Sequence, residues 1–290
     1  MSNIGLIIEE RSRDIGDFLV GRLIPFRKKR MIGPFIFIDH MGPTKLGPEK
    51  YMDVDQHPHI GLSTLTFMLE GEIMHEDSLG TKQRIQPGSV NWMTAGKGVS
   101  HSERTPSNLR GGKEFTAHGY QIWVALPKDL EDMEPSFHHI KDEELPKWKD
   151  ASAEFCLVAG EGYGKKSPVP TYSPLFMVQI KTTDSYALNV NGNLKGEIGI
   201  CIVEGGISAC GEEVTKGNIL VSKVEDTCDI ILAPNTHLLI FGGEAFEEER
   251  FIYWNFVSSS KEKIEAAKKT WKEKTFPMMK QDQSYVPLPK

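Results

Sequence analysis

HPHIGLSTLTFMLEGEIMHEDSLG, residues 57–80, sets the rhythm of this chain. Ile60, Leu62, Thr64, Thr66 and Met68 fall on one face of an extended backbone, with Leu65 and Phe67 on the other, the period of two that marks a strand. Glu70 and Gly71 read as a turn into a second short run, which Leu79 and Gly80 end. Downstream, PGSVNWMTAGKGVSHSE (87–103) again sets an apolar run between glycine turns. Phe35 to Asp39, Tyr120 to Leu126, Leu175 to Ile180, Ile198 to Val203 and Leu238 to Phe241 are further short runs bounded by turn residues. Many short strands with frequent turns predict an all-β sandwich or barrel.

One segment breaks the pattern. In SKEKIEAAKKTWKEKT, Ile264, Ala267 and Trp271 share a helical stripe, Ser259 stands three residues before Glu262 as in a capping box, and Pro277 follows the end. This predicts a short C-terminal helix packed on a barrel. The polar, proline-containing QDQSYVPLPK after it is expected to drape over the surface or fray. The charged stretch PKDLEDMEPSFHHIKDEELPKWKD (127–150) reads as a linker. It divides the chain into a first domain, 1–135, and a second, 136–290, which includes the helix and tail. The halves share a cadence: LEGEIMHEDSLG then IQPGSVNWMTAG in one, VEGGISACGEE then VTKGNILVS in the other. Recurrent turn residues make this only a weak sign of duplication.

Composition narrows the function classes. Lys and Arg total 34 against 40 Asp and Glu, a net charge of −6, so long-range attraction to nucleic acid is not expected. The basic run Arg27, Lys28, Lys29, Arg30 is read as a solvated turn. Cys156, Cys201, Cys210 and Cys228 form no Cys-x-x-Cys pair and are read as buried free thiols of a reducing compartment. Charges come too early at the N-terminus for a secretory signal, and no apolar run nears the ~20 residues of a membrane span. A soluble cytoplasmic protein is expected, monomeric by default.

His57 and His59 are two residues apart, and His101 and Glu103 repeat that spacing. Residues i and i+2 of a strand point to one side, so two such dyads meeting in a barrel would set three imidazoles and a carboxylate around one point. That donor mix suits iron, nickel, copper, manganese or zinc, with positions left open for a small molecule. A His-x-His pair alone is a weak signal, and the pattern by itself leaves a metal site and ordinary turn-side histidines level. His40, His75, His118, His138, His139 and His237 are expected not to ligate; those beside turns, His40 and His75, would bond to backbone. Trp92, Met93 and Phe67 are candidates for an apolar cavity wall as much as for core.

The stretches 57–80 and 87–103, together with GPFIFIDHMGP (33–43) and FGGEAF (241–246), resemble the pirin family of the cupin superfamily, over nearly the whole chain. The resemblance implies a bicupin, two jelly-roll barrels facing each other, with one metal in the N-terminal barrel on His57, His59, His101 and Glu103. Iron is the usual ion; nickel, copper, manganese, cobalt and zinc are alternatives. The second barrel, with only His237, would hold none. Many members carry HPHRGFET where this chain has HPHIGLST, so Ile60 and Ser63 replace an Arg and a Glu. That difference bears on polar contacts near the metal, and hence on substrate.

Pirin-like proteins include quercetin 2,3-dioxygenases, which open flavonols with dioxygen and release carbon monoxide. Such an enzyme would take a flat, flavonol-like aromatic, with Glu103 as the catalytic base. Other members resemble transcription or metabolic co-regulators that sense redox state through the same iron and act on a protein partner, without direct DNA contact or membrane attachment. A purely structural metal is the third reading; such sites are normally closed zinc sites, whereas three histidines and one carboxylate in a barrel are more often open.

Overall fold

The structure, a computed structural model, describes residues 4–14, 19–222 and 229–289. It is mostly strand, with one α-helix, Lys261–Lys272, among the described residues. Among the described residues no helix is long and apolar enough to cross a membrane. The chain forms two compact units. One comprises Ser12–Val20, Ile38–Asp142 and Glu247–Lys290; the other comprises Met1–Arg11, Gly21–Phe37 and Glu143–Phe246. Each is built on one large antiparallel sheet and one four-stranded sheet, the two-sheet plan of a jelly roll.

In the first unit the small sheet runs, in spatial order, Asp53–His59, Val99–Arg104, Ile73–Asp77, Lys82–Ile85. The large sheet begins Ser136–Ile140, Val90–Thr94, Leu62–Glu70, Phe115–Ala125, Phe35–Leu46. In the second unit the small sheet is Tyr186–Leu188, Ile230–Leu232, Gly206–Ala209, Glu212–Thr215. The matching run of its large sheet is Asn218–Ser222, Glu197–Glu204, His237–Gly243, Leu175–Thr182. Counted along the chain, each of these strands lies twelve places after its counterpart. The shared cadence of the sequence is therefore a shared topology. The second unit fills its interior with Leu157, Val178, Ile200, Ile240 and neighbours, all buried.

Several local expectations need correction. The stretch 127–150 is not a plain linker: Ser136–Ile140 pairs with Val90–Thr94, and Lys147–Asp150 pairs with Ala153–Gly162. Both are edge strands in their sheets, so one face stays polar and the composition imitates a linker. The helix cap is Ser260, which accepts from Lys263 N, not Ser259. Cys156 and Cys201 are buried free thiols as expected, but Cys210 is disulfide-bonded; Cys228 lies outside the described residues.

The helix buries Ile264, Ala267 and Trp271 against Ile60, Phe256 and Phe276. The tail beyond it drapes along the strand Asp53–His59. Gln56, fully buried, donates through its amide to Asp282 O and Ser284 O at 3.1 Å and accepts from Met279 N at 2.7 Å and Ser100 Oγ at 3.0 Å. Val286 N donates to Gln56 O, and Trp271 Nε1 to Val286 O. The open edge of a histidine-bearing strand is thus covered by the chain's own end.

Candidate metal centre

The strand Val99–Arg104 runs antiparallel between two neighbours. On one side His101 faces His57 and Val99 faces His59; on the other His101 faces Asp77 and Glu103 faces His75. Between His101 and Glu103 the partner strand advances three residues, from His57 to Val54, a bulge that carries Glu103 out of step with the first dyad. The turn after the first dyad is tied to the turn before the second: Gly61 N donates to Gly96 O at 2.9 Å. Both glycines have positive φ, and a Cβ would stand 1.9 Å from Val257 O at Gly61 and 2.0 Å from Met133 O at Gly96.

The result is a tight imidazole cluster. Ring centroids of His101 lie 4.3 Å from His57 and 5.0 Å from His59, and His59 Nε2 is 3.1 Å from His101 Nε2. One nitrogen from each of His57, His59 and His101 lies within 4.8 Å of the others. A second group, overlapping at His101, adds His75 and Glu103. Of the four residues singled out from the sequence, three imidazoles share one cluster, and Glu103 joins His101 in the other. His75 was set aside in the sequence, yet it is buried beside His101 and bonds through its side chain to Asp77, not to backbone.

Hydrogen bonding shows which nitrogens are free. His57 Nδ1 donates to Asp55 O at 2.7 Å, because a carbonyl can only accept, so its Nε2 carries the lone pair. Burial lowers the His57 pKa from 6.5 to about 4, against an opposing pull from the Asp55 carbonyl. His59 and His101 are driven well below the ordinary value, first by burial and then by the neighbouring His57. All three are neutral near pH 7, as metal ligands must be. Neutral imidazoles with two Nε2 atoms 3.1 Å apart suit a shared cation, since ligand nitrogens about 2.0–2.1 Å from one ion stand at about that separation. The donor set therefore fits a transition metal.

Glu103 is buried, which raises its pKa, partly offset by the nearness of His75 and by the Thr66 hydrogen bond. Thr66 Oγ1 lies 3.0 Å from Glu103 Oε1 and 2.7 Å from Gln121 Oε1, and its one proton can serve only one of them. The Trp123 ring meets His59 edge to face at 5.1 Å, and Phe137 stacks on His75 at 4.7 Å.

Strand register sorts the remaining expectations. Thr66 pairs with Asn91 and Gln121, and Thr64 with Met93 and Trp123, so these residues share the face that meets Glu103 and His59. Leu65 pairs with Trp92 and Phe67 with Val90 on the opposite face. Of the three suggested wall residues only Met93 is on the histidine side. Ser63 also lies on the opposite face, 3.0 Å from Thr94 Oγ1, and Ile60 packs under the helix. Ile60 and Ser63, which stand where the commoner motif has Arg and Glu, thus point away from the imidazoles. In the second unit the counterpart strands read Tyr186-Ala-Leu188 and Ile230-Ile-Leu232, and His237 meets the Gln179 amide at 2.9 Å.

Comparison with known proteins gives consistent results. The family model named Pirin matches residues 18–124, and the model described as the pirin C-terminal cupin domain matches 175–277. The chain is 42% identical over 290 residues to a pirin-like protein of Caulobacter vibrioides, covering 99% of each. The crystal structure of quercetin 2,3-dioxygenase from Acinetobacter baumannii superposes with a TM-score of 0.88 at 34% identity, covering 98% of this chain and 95% of that one. A bacterial pirin of Escherichia coli crystallised with nickel(II) shares the fold, with a TM-score of 0.64 at 17% identity, over 83% of this chain and 99% of that one.

Proposed function

We propose, from the premise that this chain belongs to the pirin family, that it is a metal-dependent oxygenase of the quercetin 2,3-dioxygenase kind, with one metal, iron first, held by His57, His59, His101 and Glu103. The observation that carries the reading is the convergence of three buried, neutral imidazoles on one point. The likeness to a quercetin 2,3-dioxygenase at 34% identity over 98% of this chain supports the substrate class. A bound transition metal would supply a Lewis acid and open positions for substrate and dioxygen.

The chain's own residues have definite work. His57, His59 and His101 hold lone pairs toward the centre, buried from bulk solvent. Glu103 joins His101 and His75 in one donor group and takes the proton of the flavonol 3-hydroxyl. Its burial raises its proton affinity, which suits a base working near neutral pH. Thr66 Oγ1, 3.0 Å from Oε1, is within reach to steady the carboxylate when its proton turns from Gln121. The Trp123 and Met93 side of the large sheet gives a flat aromatic an apolar wall.

The test is an assay of purified, iron-loaded protein with quercetin under air, following loss of flavonol and release of carbon monoxide. Turnover with carbon monoxide is expected. Glu103→Gln should keep measurable metal yet lose turnover by about 10²–10⁴-fold. Full turnover by that variant removes Glu103 from the base role, and absence of turnover in the loaded wild type removes the oxygenase reading.

A further inference from the structure

The buried pair His75 and Asp77 lies one strand beyond the ligands, and neither was expected to matter. His75 Nε2 is 3.1 Å from Asp77 Oδ2, and His75 Nδ1 is 3.3 Å from His101 Nδ1. Exposure of the two side chains is 2% and 0%, so water does not compete for these bonds. The other carboxylate oxygen, Oδ1, accepts from Leu79 N and Thr81 N, both at 2.9 Å.

We propose that His75 is a positioning residue that, held by Asp77, fixes the proton of His101 on Nδ1 and so leaves Nε2 bare for a metal ion. Proton counting gives the direction. An ionised carboxylate can only accept, so His75 must carry its proton on Nε2. In the neutral ring its Nδ1 is then a lone pair, and the 3.3 Å contact requires His101 to donate from Nδ1. A neutral imidazole has one proton, so His101 Nε2, the atom facing His59, is left unprotonated. Asp77 is ionised: burial pushes its pKa up, but His75 and the Thr81 bonds bring it below the ordinary value. Carboxylate–histidine pairs behind a ligand typically change metal affinity by about 10–100-fold when removed.

The register makes the device specific. Asp77 stands opposite His101 and His75 opposite Glu103 across one strand pairing, so both come from the HED segment on a single strand. A swap at Asp77 has a defined outcome. In Asp77→Asn the two backbone N–H groups keep the amide oxygen at the Oδ1 position. The amide nitrogen then faces His75 Nε2 and donates to it. His75 is driven to carry its proton on Nδ1, His101 must accept there, and its own proton moves to Nε2, where it blocks the metal.

This inference rests on the metal reading above, and the experiment separates the two. In the full-length, metal-free protein labelled with ¹⁵N-histidine, the His101 ring nitrogens should report a proton on Nδ1 and a bare Nε2. In Asp77→Asn the pattern should invert. Cobalt(II) titration should show affinity lowered about 10–100-fold by His75→Ala and Asp77→Asn. His75→Gln, whose amide can donate to Asp77 and accept from His101, should return it to within about 3-fold of wild type. A proton on Nε2 in the wild type overturns the proposal, as does wild-type cobalt affinity in His75→Ala. Equal damage from His75→Gln and His75→Ala also overturns it, because His75 would then act as a ligand or as packing. Failure of the wild type to bind cobalt sinks the metal reading alone; the nitrogen measurement still decides the proton's place.

Discussion

At the scale of single residues, His57 shows the cost of keeping an imidazole ready for a ligand's work. Its folded pKa, about 4, lies below the unfolded value of 6.5, so the native state binds fewer protons. Stability from this group is complete above about pH 6.5 and is lost as pH falls through 4. In chelator-treated protein this one histidine should remove roughly 3 kcal/mol between pH 7 and 4. His59 and His101 shift in the same direction. Urea midpoints taken across that range test the slope, and His57→Gln should flatten part of it; a level profile would show that these rings are not buried neutral. The dyads were legible because i and i+2 on a strand share a side whatever the rest of the fold does. His75 was not: its partner is 26 residues away and is reached only across a strand pairing.

Among elements, the strand Asp53–His59 depends on what covers its edge. Replacing Gln56 with Ala strips a buried backbone N–H and two carbonyls of their side-chain partner at one stroke, while Ser100 Oγ keeps Pro277 O. A loss of about 2–4 kcal/mol is expected in urea unfolding, with weaker metal binding because His57 is the next residue. A change under about 0.5 kcal/mol would mean that the tail is not bound there. The helix stripe was readable from its period, while its cap was misplaced by one residue for a tertiary reason. Ser258 Oγ and Ser259 N both donate to the buried Glu131, which leaves Ser260 to cap. The strand Ser136–Ile140 was hidden for another reason. Its two large apolar residues, Phe137 and Ile140, are separated by two histidines and show no period of two, and the Phe137 ring stacks on His75.

For the molecule as a whole, chain order and unit membership are not the same. The unit that holds the histidines draws its helix and tail from Glu247–Lys290, beyond the other unit's main segment. A fragment of residues 1–142 lacks the cover of Ile60, the partners of Gln56 and the Arg250 and Ser258 contacts of Glu131. It is expected to precipitate or to bind cobalt at least about 10-fold more weakly than the full chain, in line with the loss of ligand support. A soluble fragment with undiminished affinity would show that the C-terminal segment is dispensable. The two-sheet plan was legible from strand spacing and turns. The exchange of segments was not, because no local property of a strand says which sheet it will join.

The repeated strand order has one more implication. Where the first unit places the strands that carry His57, His59 and His101, the second places Tyr186–Leu188 and Ile230–Leu232 in the same topological slots. Leu188, Ile230 and Leu232 close that interior with hydrocarbon. One strand plan thus accepts either hydrocarbon or imidazole in the same slots, so the chemistry of the wall can change while its architecture stays.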